Sequence, residues 1–201
     1  MMATPSQRTC FVHMPKCGGT SVRLSLEKLL GKEHLHLDYG GVPGKGEVER
    51  HSHLLTYMKC PIQLESGCCV YGHFRPVKYL GDLGPSTQDI FVCTILREPI
   101  DRLISHYRYL LALDDPGNAM REALREHQDD FAWFAMQPRL RNIYSRHLFQ
   151  VPLSRLNYVG IYEKMNDSWL AIANRIKSSS QAVPQLTRSN RTDERSSKPI
   201  P

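Results

Sequence analysis

No run of apolar residues in the 201-residue chain approaches the ~18 that a membrane-spanning helix needs. The opening residues, MMATPSQRTC, lack the basic start and continuous apolar stretch of a secretory signal. The sequence as it stands therefore predicts a soluble, cytoplasmic chain; the Golgi lumen is the alternative for a protein relieved of an N-terminal anchor. No C-x-x-C pair occurs among the six cysteines, which argues against a zinc site. Cys10 and Cys93 lie inside apolar, strand-like runs where a reduced thiol serves as a small hydrophobe. Free thiols are expected, and the one bridge to look for joins Cys60 to Cys68 or Cys69. No internal repeat is visible.

What is present is an ordinary globular balance, 41% hydrophobic and 23% charged residues, in a length that suits one domain. The net charge of +6 suits a phosphate-rich nucleotide, an anionic acceptor or nucleic acid alike, and decides nothing between them. Apolar runs alternate with helix-period segments, the pattern of a parallel sheet flanked by helices. Strands are expected over 9–14, 68–72, 89–96 and 157–162. Helices are expected over 20–30, 47–58, from Pro99 onward, and over 119–127, 138–148 and 166–177. The first helix shows Val22, Leu26, Leu29 and Leu30 on one face; the helix opened by Pro99 shows Ile100, Leu103, Ile104, Tyr107 and Leu111. Residues 40–46 form a glycine-rich loop. From Ser178 onward the chain is polar, and disorder is its plain reading.

The segment P-K-C-G-G-T-S at 15–21 is the strongest chemical signal. It follows a strand and opens a helix, so its glycines let main-chain N–H groups approach an anion at a helix N-terminus. Lys16 adds a full charge, and Thr20 and Ser21 add hydroxyl donors. The bland alternative is a glycine turn with Thr20 as a helix cap. A Walker A loop places its lysine after the glycines, and here it comes before them. A second candidate follows the strand at 89–96: Arg97, at the carboxyl end of a central strand, and Ser105, two turns into the next helix. Side chains so placed can converge on one anion. Arg102 either adds a contact or solvates the outer face.

Together these segments resemble the superfamily of sulfotransferases that use 3′-phosphoadenosine-5′-phosphosulfate (PAPS). The likeness is greatest to its carbohydrate branch, which includes the heparan sulfate 2-O-sulfotransferases. The resemblance implies a single α/β domain over 1–201, with a core over 9–177 and a P-loop-like sulfotransferase fold. It implies that Lys16, Cys17, Gly18, Gly19, Thr20 and Ser21 wrap the 5′-phosphosulfate, with Lys16 stabilising charge on the bridging oxygen. The run R-E-P-I-D-R-L-I-S-H-Y at 97–107 is similar to the family's 3′-phosphate motif, which assigns Arg97 and Ser105 to that phosphate. Later in the chain, 142–148 resembles the helix N-x-Q-[ST]-R-x-L with Tyr144 in place of glutamine, and 158–163 resembles the strand V-G-x-x-E. A segment near Thr187 to Asn190, including Arg188 and Ser189, is implied to fold over the nucleotide.

Between the two anion motifs, His73 follows a short apolar run and Gly72. An acceptor hydroxyl must lose its proton as it attacks sulfur, and histidine suits that transfer near neutrality. In the enzymes this chain resembles, a G-H dipeptide after the corresponding strand supplies the base. His13 reads as structural, His34 and His36 as alternating along an exposed strand edge, and Glu98 and Asp101 as helix N-terminal acids.

The expectation is a metal-free transfer of a sulfuryl group from PAPS, leaving the bisphosphate PAP, onto a hydroxyl-bearing acceptor, with a carbohydrate favoured. Nucleic acid is not expected as partner, and no membrane span is expected in this chain. The competing readings are a kinase using ATP and Mg²⁺, for which loop order and a strand-end acid are missing, and a non-catalytic nucleotide- or polyanion-binding module.

Overall fold

The computed structural model describes residues 7–40, 47–81, 89–149, 151–178 and 180–187. Five parallel strands make one sheet: β1 (Arg8–Val12), β2 (Leu35–Asp38), β3 (Cys69–Gly72), β4 (Ile90–Leu96) and β5 (Tyr158–Ile161), in the order β2-β3-β1-β4-β5. The strand that feeds the glycine loop is central, with β3 and β4 on either side. This is the P-loop-like α/β arrangement expected. The segment holding His36, read as an exposed strand edge, is β2, a fifth strand at the sheet's border.

Alternation along the strands sends side chains to two faces. Phe11, Tyr71, Cys93 and Ile95 meet one helical layer. It consists of α1 (Gly19–Leu30) and α8 (Met165–Ile176), through Val22, Leu26, Leu29 and Leu30 on the former and Trp169, Ile172 and Ile176 on the latter. Cys10, Val12, Val70 and Val92 face the other way, covered by Phe74, Leu80, Leu148 and Val151. Here lie α2 (Glu47–Lys59), packed on the single-turn α3 (Val77–Leu80), and α7 (Ile143–His147). A separate cluster of Tyr107, Leu110, Leu124 and Phe134 joins α4 (Pro99–Leu111), α5 (Ala119–Glu126) and α6 (Phe131–Ala135).

Two expectations need correcting. In α4 the buried positions are Arg102, Ser105, Tyr107 and Leu110, and Ile100 is 61% exposed. Leu103, Tyr107 and Leu111 pack as the expected apolar face, while the helix also buries the polar Arg102 and Ser105. The helix expected over 138–148 is split, because Asn142 takes a left-handed conformation (φ 50°) between a 3₁₀ turn at Pro138–Leu140 and α7. Of the polar tail, residues 178 and 180–187 are described, and they pack on the α1–α8 layer. Gln181 Nε2 donates to the Leu29 carbonyl at 3.0 Å, the Thr187 amide to Ser25 Oγ at 3.0 Å, and the Trp169 indole to the Pro184 carbonyl at 2.8 Å. All six cysteines are free thiols. No helix among the described residues is long and apolar enough to cross a membrane.

Candidate active site at the carboxyl end of the sheet

Register brings the functional connections to one edge. Val12 pairs with Gly72 on one side and Thr94 on the other, and Leu96 pairs with Ile161, so the strands end together. The glycine loop starts here. The Cys17 amide donates to the Met14 carbonyl at 3.2 Å, and Lys16 and Gly18 both adopt left-handed backbone (φ 67° and 76°). For Lys16 that conformation costs on the order of 1 kcal/mol, a strain typical of functional loops. Gly18 caps α1, so the amides of the helix's first turn face out of its end. Gly19 leaves room for His13: a Cβ there would lie 1.8 Å from the imidazole Nε2.

Three cations face this loop, and none joins an ion pair among the described residues. Lys16 Nζ rests over the Tyr109 ring, 4.1 Å from its centroid, and the Arg97 guanidinium over the Tyr162 ring at 4.4 Å. Arg102 is buried, and its Nη1, like Arg97 Nε, has no hydrogen-bond partner. Burial, reinforced by the charge of Arg97, pulls the Lys16 ammonium down to about 8. Burying cations without counter-charge is costly. The orphaned guanidinium nitrogens therefore fit a site that takes a polyanion. Ser105 lies buried one turn beyond Arg102 on α4, but no hydrogen bond joins it to Arg97. Burial pushes the Cys17 thiol up to about 11, so it stays protonated.

His73 emerges just past β3. Its Nδ1 lies 2.8 Å from the His13 carbonyl, an acceptor, so Nδ1 carries the proton and Nε2 keeps its lone pair. The ring stacks on His13 (centroids 4.3 Å, 23°) and meets the edges of Tyr39 at 5.3 Å and His147 at 6.0 Å. Burial lowers the pKa of His73, which keeps the imidazole neutral at pH 7. His147 has the same tautomer, its Nδ1 on the Ile143 carbonyl at 3.0 Å. Glu98 caps α4 by accepting the Asp101 amide at 2.7 Å, and its own amide donates to Glu163 at 2.9 Å, tying β4–α4 to β5–α8.

The structure thus brings Lys16, the 17–21 loop and Arg97 to one edge, with His73 beside them. Arg188 and Ser189 lie outside the described residues. Sequence reasoning missed four neighbours: His13, Tyr109, His147 and Tyr162. Only His13 carried a signal, standing one residue past a strand and just before the loop. Tyr109 lies three turns along α4 with nothing to mark it, and His147 and Tyr162 fall in the motif-like segments 142–148 and 158–163 at positions those motifs do not specify. Arg102 was left open between contact and solvation; its burial excludes solvation.

No family model matches the chain. The Lon protease of Brevibacillus choshinensis is 30% identical over 122 residues, which is 60% of this chain but 13% of that protein. The chain spans only a small part of that relative, and the match assigns it no activity. Among solved structures, a sulfotransferase from Alicyclobacillus acidocaldarius superposes with a TM-score of 0.46 at 17% identity, covering 96% of this chain and 89% of that one. A mouse sulfotransferase complexed with PAP gives a TM-score of 0.49 at 13% identity, covering 90% and 61%. Similarities at this level identify no family for the chain.

Proposed function

We propose that the protein is a sulfotransferase that moves a sulfuryl group from PAPS to an acceptor hydroxyl, with a carbohydrate hydroxyl as the favoured class. One observation carries the reading. Two unneutralised cations, Lys16 and Arg97, stand at the ends of adjacent parallel strands, near enough that one depresses the pKa of the other. A bisphosphorylated nucleotide needs two such anchors.

When bound, PAPS supplies the sulfuryl group and a phosphate leaving group. Lys16 and the loop amides from Cys17 to Ser21 hold the 5′-phosphosulfate. Arg97 and Ser105 hold the 3′-phosphate, with Arg102 filling out the positive field. His73 Nε2 takes the acceptor's proton as its oxygen attacks sulfur. Lys16 stabilises charge on the departing oxygen, work that preorganised donors do well in a partly buried site. The resemblance of the Gly72-His73 dipeptide and the glycine loop to the carbohydrate branch favours a sugar acceptor.

The direct test compares thermal stabilisation by PAP, AMP and ATP with Mg²⁺. A clear preference for PAP supports the proposal; equal shifts, or none, remove it.

A further inference from the structure

The hydroxyl of Tyr144 sits where the two anion-binding connections meet. It donates to the main-chain carbonyl of Arg97, accepts the Arg97 amide proton at 3.2 Å, and lies 3.9 Å from Cys17 Sγ. Cys17 belongs to the glycine loop after β1 and Arg97 to the connection after β4. Apart from the strand pairing, no main-chain hydrogen bond among the described residues joins the two. The thiol has the Pro15 carbonyl as its other neighbour, at 3.8 Å.

Tyr144 is itself held firmly. The left-handed Asn142 aims α7 at the sheet end. The Leu148 amide closes that helix on the Tyr144 carbonyl at 2.9 Å. The ring packs, with Leu96 and Leu156, against the cluster that holds Val12, Met14 and Cys17. A phenol has one proton and two lone pairs. With the proton on the Arg97 carbonyl, one lone pair takes the Arg97 amide and the other faces the thiol, whose single proton the Pro15 carbonyl also accepts. Burial raises the phenol to about 12, so this pattern of donor and acceptor holds across the working pH range.

We infer that Tyr144 is a positioning residue for the nucleotide, fixing the spacing between the glycine loop and Arg97 so that both phosphates of one bisphosphate are met at once. The inference rests on the proposed use of PAPS. It assigns a role to the one position where the segment at 142–148 departs from the pattern it resembles. A ligand with two anions gains from the second only if the two sites are already at the right separation; otherwise the second contact has first to order the loop. Tyr144 supplies that order in advance, and it does so without touching the nucleotide.

The experiment measures affinity for PAP, 5′-AMP and 3′-AMP in the wild type and in Tyr144→Phe, which removes only the hydroxyl. Loss of the contacts this hydroxyl makes predicts roughly a tenfold weaker PAP complex, the equivalent of about 1.4 kcal/mol. Each monophosphate, which engages one anchor only, weakens less than about threefold. Equal weakening of all three ligands, or unchanged PAP affinity, overturns the positioning role. A wild type that binds PAP no better than 5′-AMP and 3′-AMP overturns the cofactor reading and this inference together. Melting of the nucleotide-free variant reports whether it folds. If it does not, hydrogen exchange of the wild-type Arg97 amide decides. 5′-AMP alone, bound at the glycine loop, slows that exchange when the two connections are linked; exchange unaffected by 5′-AMP overturns the inference.

Discussion

His73 donates its Nδ1 proton to the main-chain carbonyl of His13 at 2.8 Å while the two imidazoles stack 4.3 Å apart. One residue thus fixes both the tautomer and the ring plane of another. The carbonyl belongs to the connection that becomes the glycine loop, so the candidate base and the anion loop share a support. His73 presents a basic Nε2 without relying on a carboxylate partner.

Replacing His73 by alanine is therefore expected to lower kcat by at least about 100-fold, the usual worth of a general base. Affinity for PAP should stay within about twofold, because no nucleotide contact is removed. Burial holds the imidazole below its ordinary value of 6.5, and a base works only when neutral. Activity should rise with pH through that lowered pKa and be level by neutrality. Turnover in His73→Ala equal to the wild type would assign the base elsewhere.

The alkaline side belongs to Lys16. Its ammonium is lowered to about 8 by burial and then by Arg97, so in free enzyme it loses its charge as pH rises through that value. The profile of kcat/KM for PAPS is expected to fall above about pH 8. In Lys16→Arg the cation does not titrate in this range, and the alkaline fall should vanish even though the overall rate drops. Lys16→Ala is expected to lose about 10²–10³ in kcat. An alkaline fall that persists in Lys16→Arg would exclude Lys16 as its source.

Much of this architecture is legible in the sequence. The glycine loop, Arg97 and His73 each come directly after a strand, and a parallel sheet gathers all such connections at one edge. Period-two and helical spacing were enough to find four of five strands and the buried face of α1. The remainder depended on tertiary choices that spacing does not encode. The four-residue β2 is mostly polar or exposed, so no apolar run announced it. Helix α4 looked amphipathic around Ile100, yet it exposes Ile100 and buries Arg102 near the end of the sheet. Tyr109, Tyr162 and His147 reach the site from positions that the motif-like segments around them leave unspecified.

Two imidazoles should make the fold acid-sensitive well above the carboxylate range. Burial, with nearby positive charge, lowers His13 to about 3 and His106 to about 4, against 6.5 for an exposed histidine. Each folded-state value is depressed, so the unfolded chain takes up protons first as pH falls. The stability is fully present above 6.5 and is lost progressively below it, at about 1.4 kcal/mol per pH unit for each group. His73 and His147, also lowered, add in the same direction. Urea denaturation at pH values between about 6.5 and about 5, where carboxylates contribute little, should show this slope. His106→Phe should reduce it by one group's share, and an unchanged slope would mean that His106 is not held neutral.

The close approach of Gly19 to His13 gives the most specific test of the loop. A methyl group at Gly19 would meet the imidazole at 1.8 Å from Nε2 and 1.9 Å from Cε1, so Gly19→Ala must displace the His13 ring or the start of α1. Overpacking of this kind costs about 1–3 kcal/mol, and displacing His13 also disturbs the support under His73. If the ring is the obstacle, adding His13→Ala to Gly19→Ala should recover most of the lost stability and of the lost PAP affinity. His13→Ala alone should be mildly destabilising through the void it leaves. The double-mutant cycle would then show a coupling of opposite sign to the single effects. Simple additivity of the two losses would place the strain in the loop backbone at Lys16 and Gly18 instead.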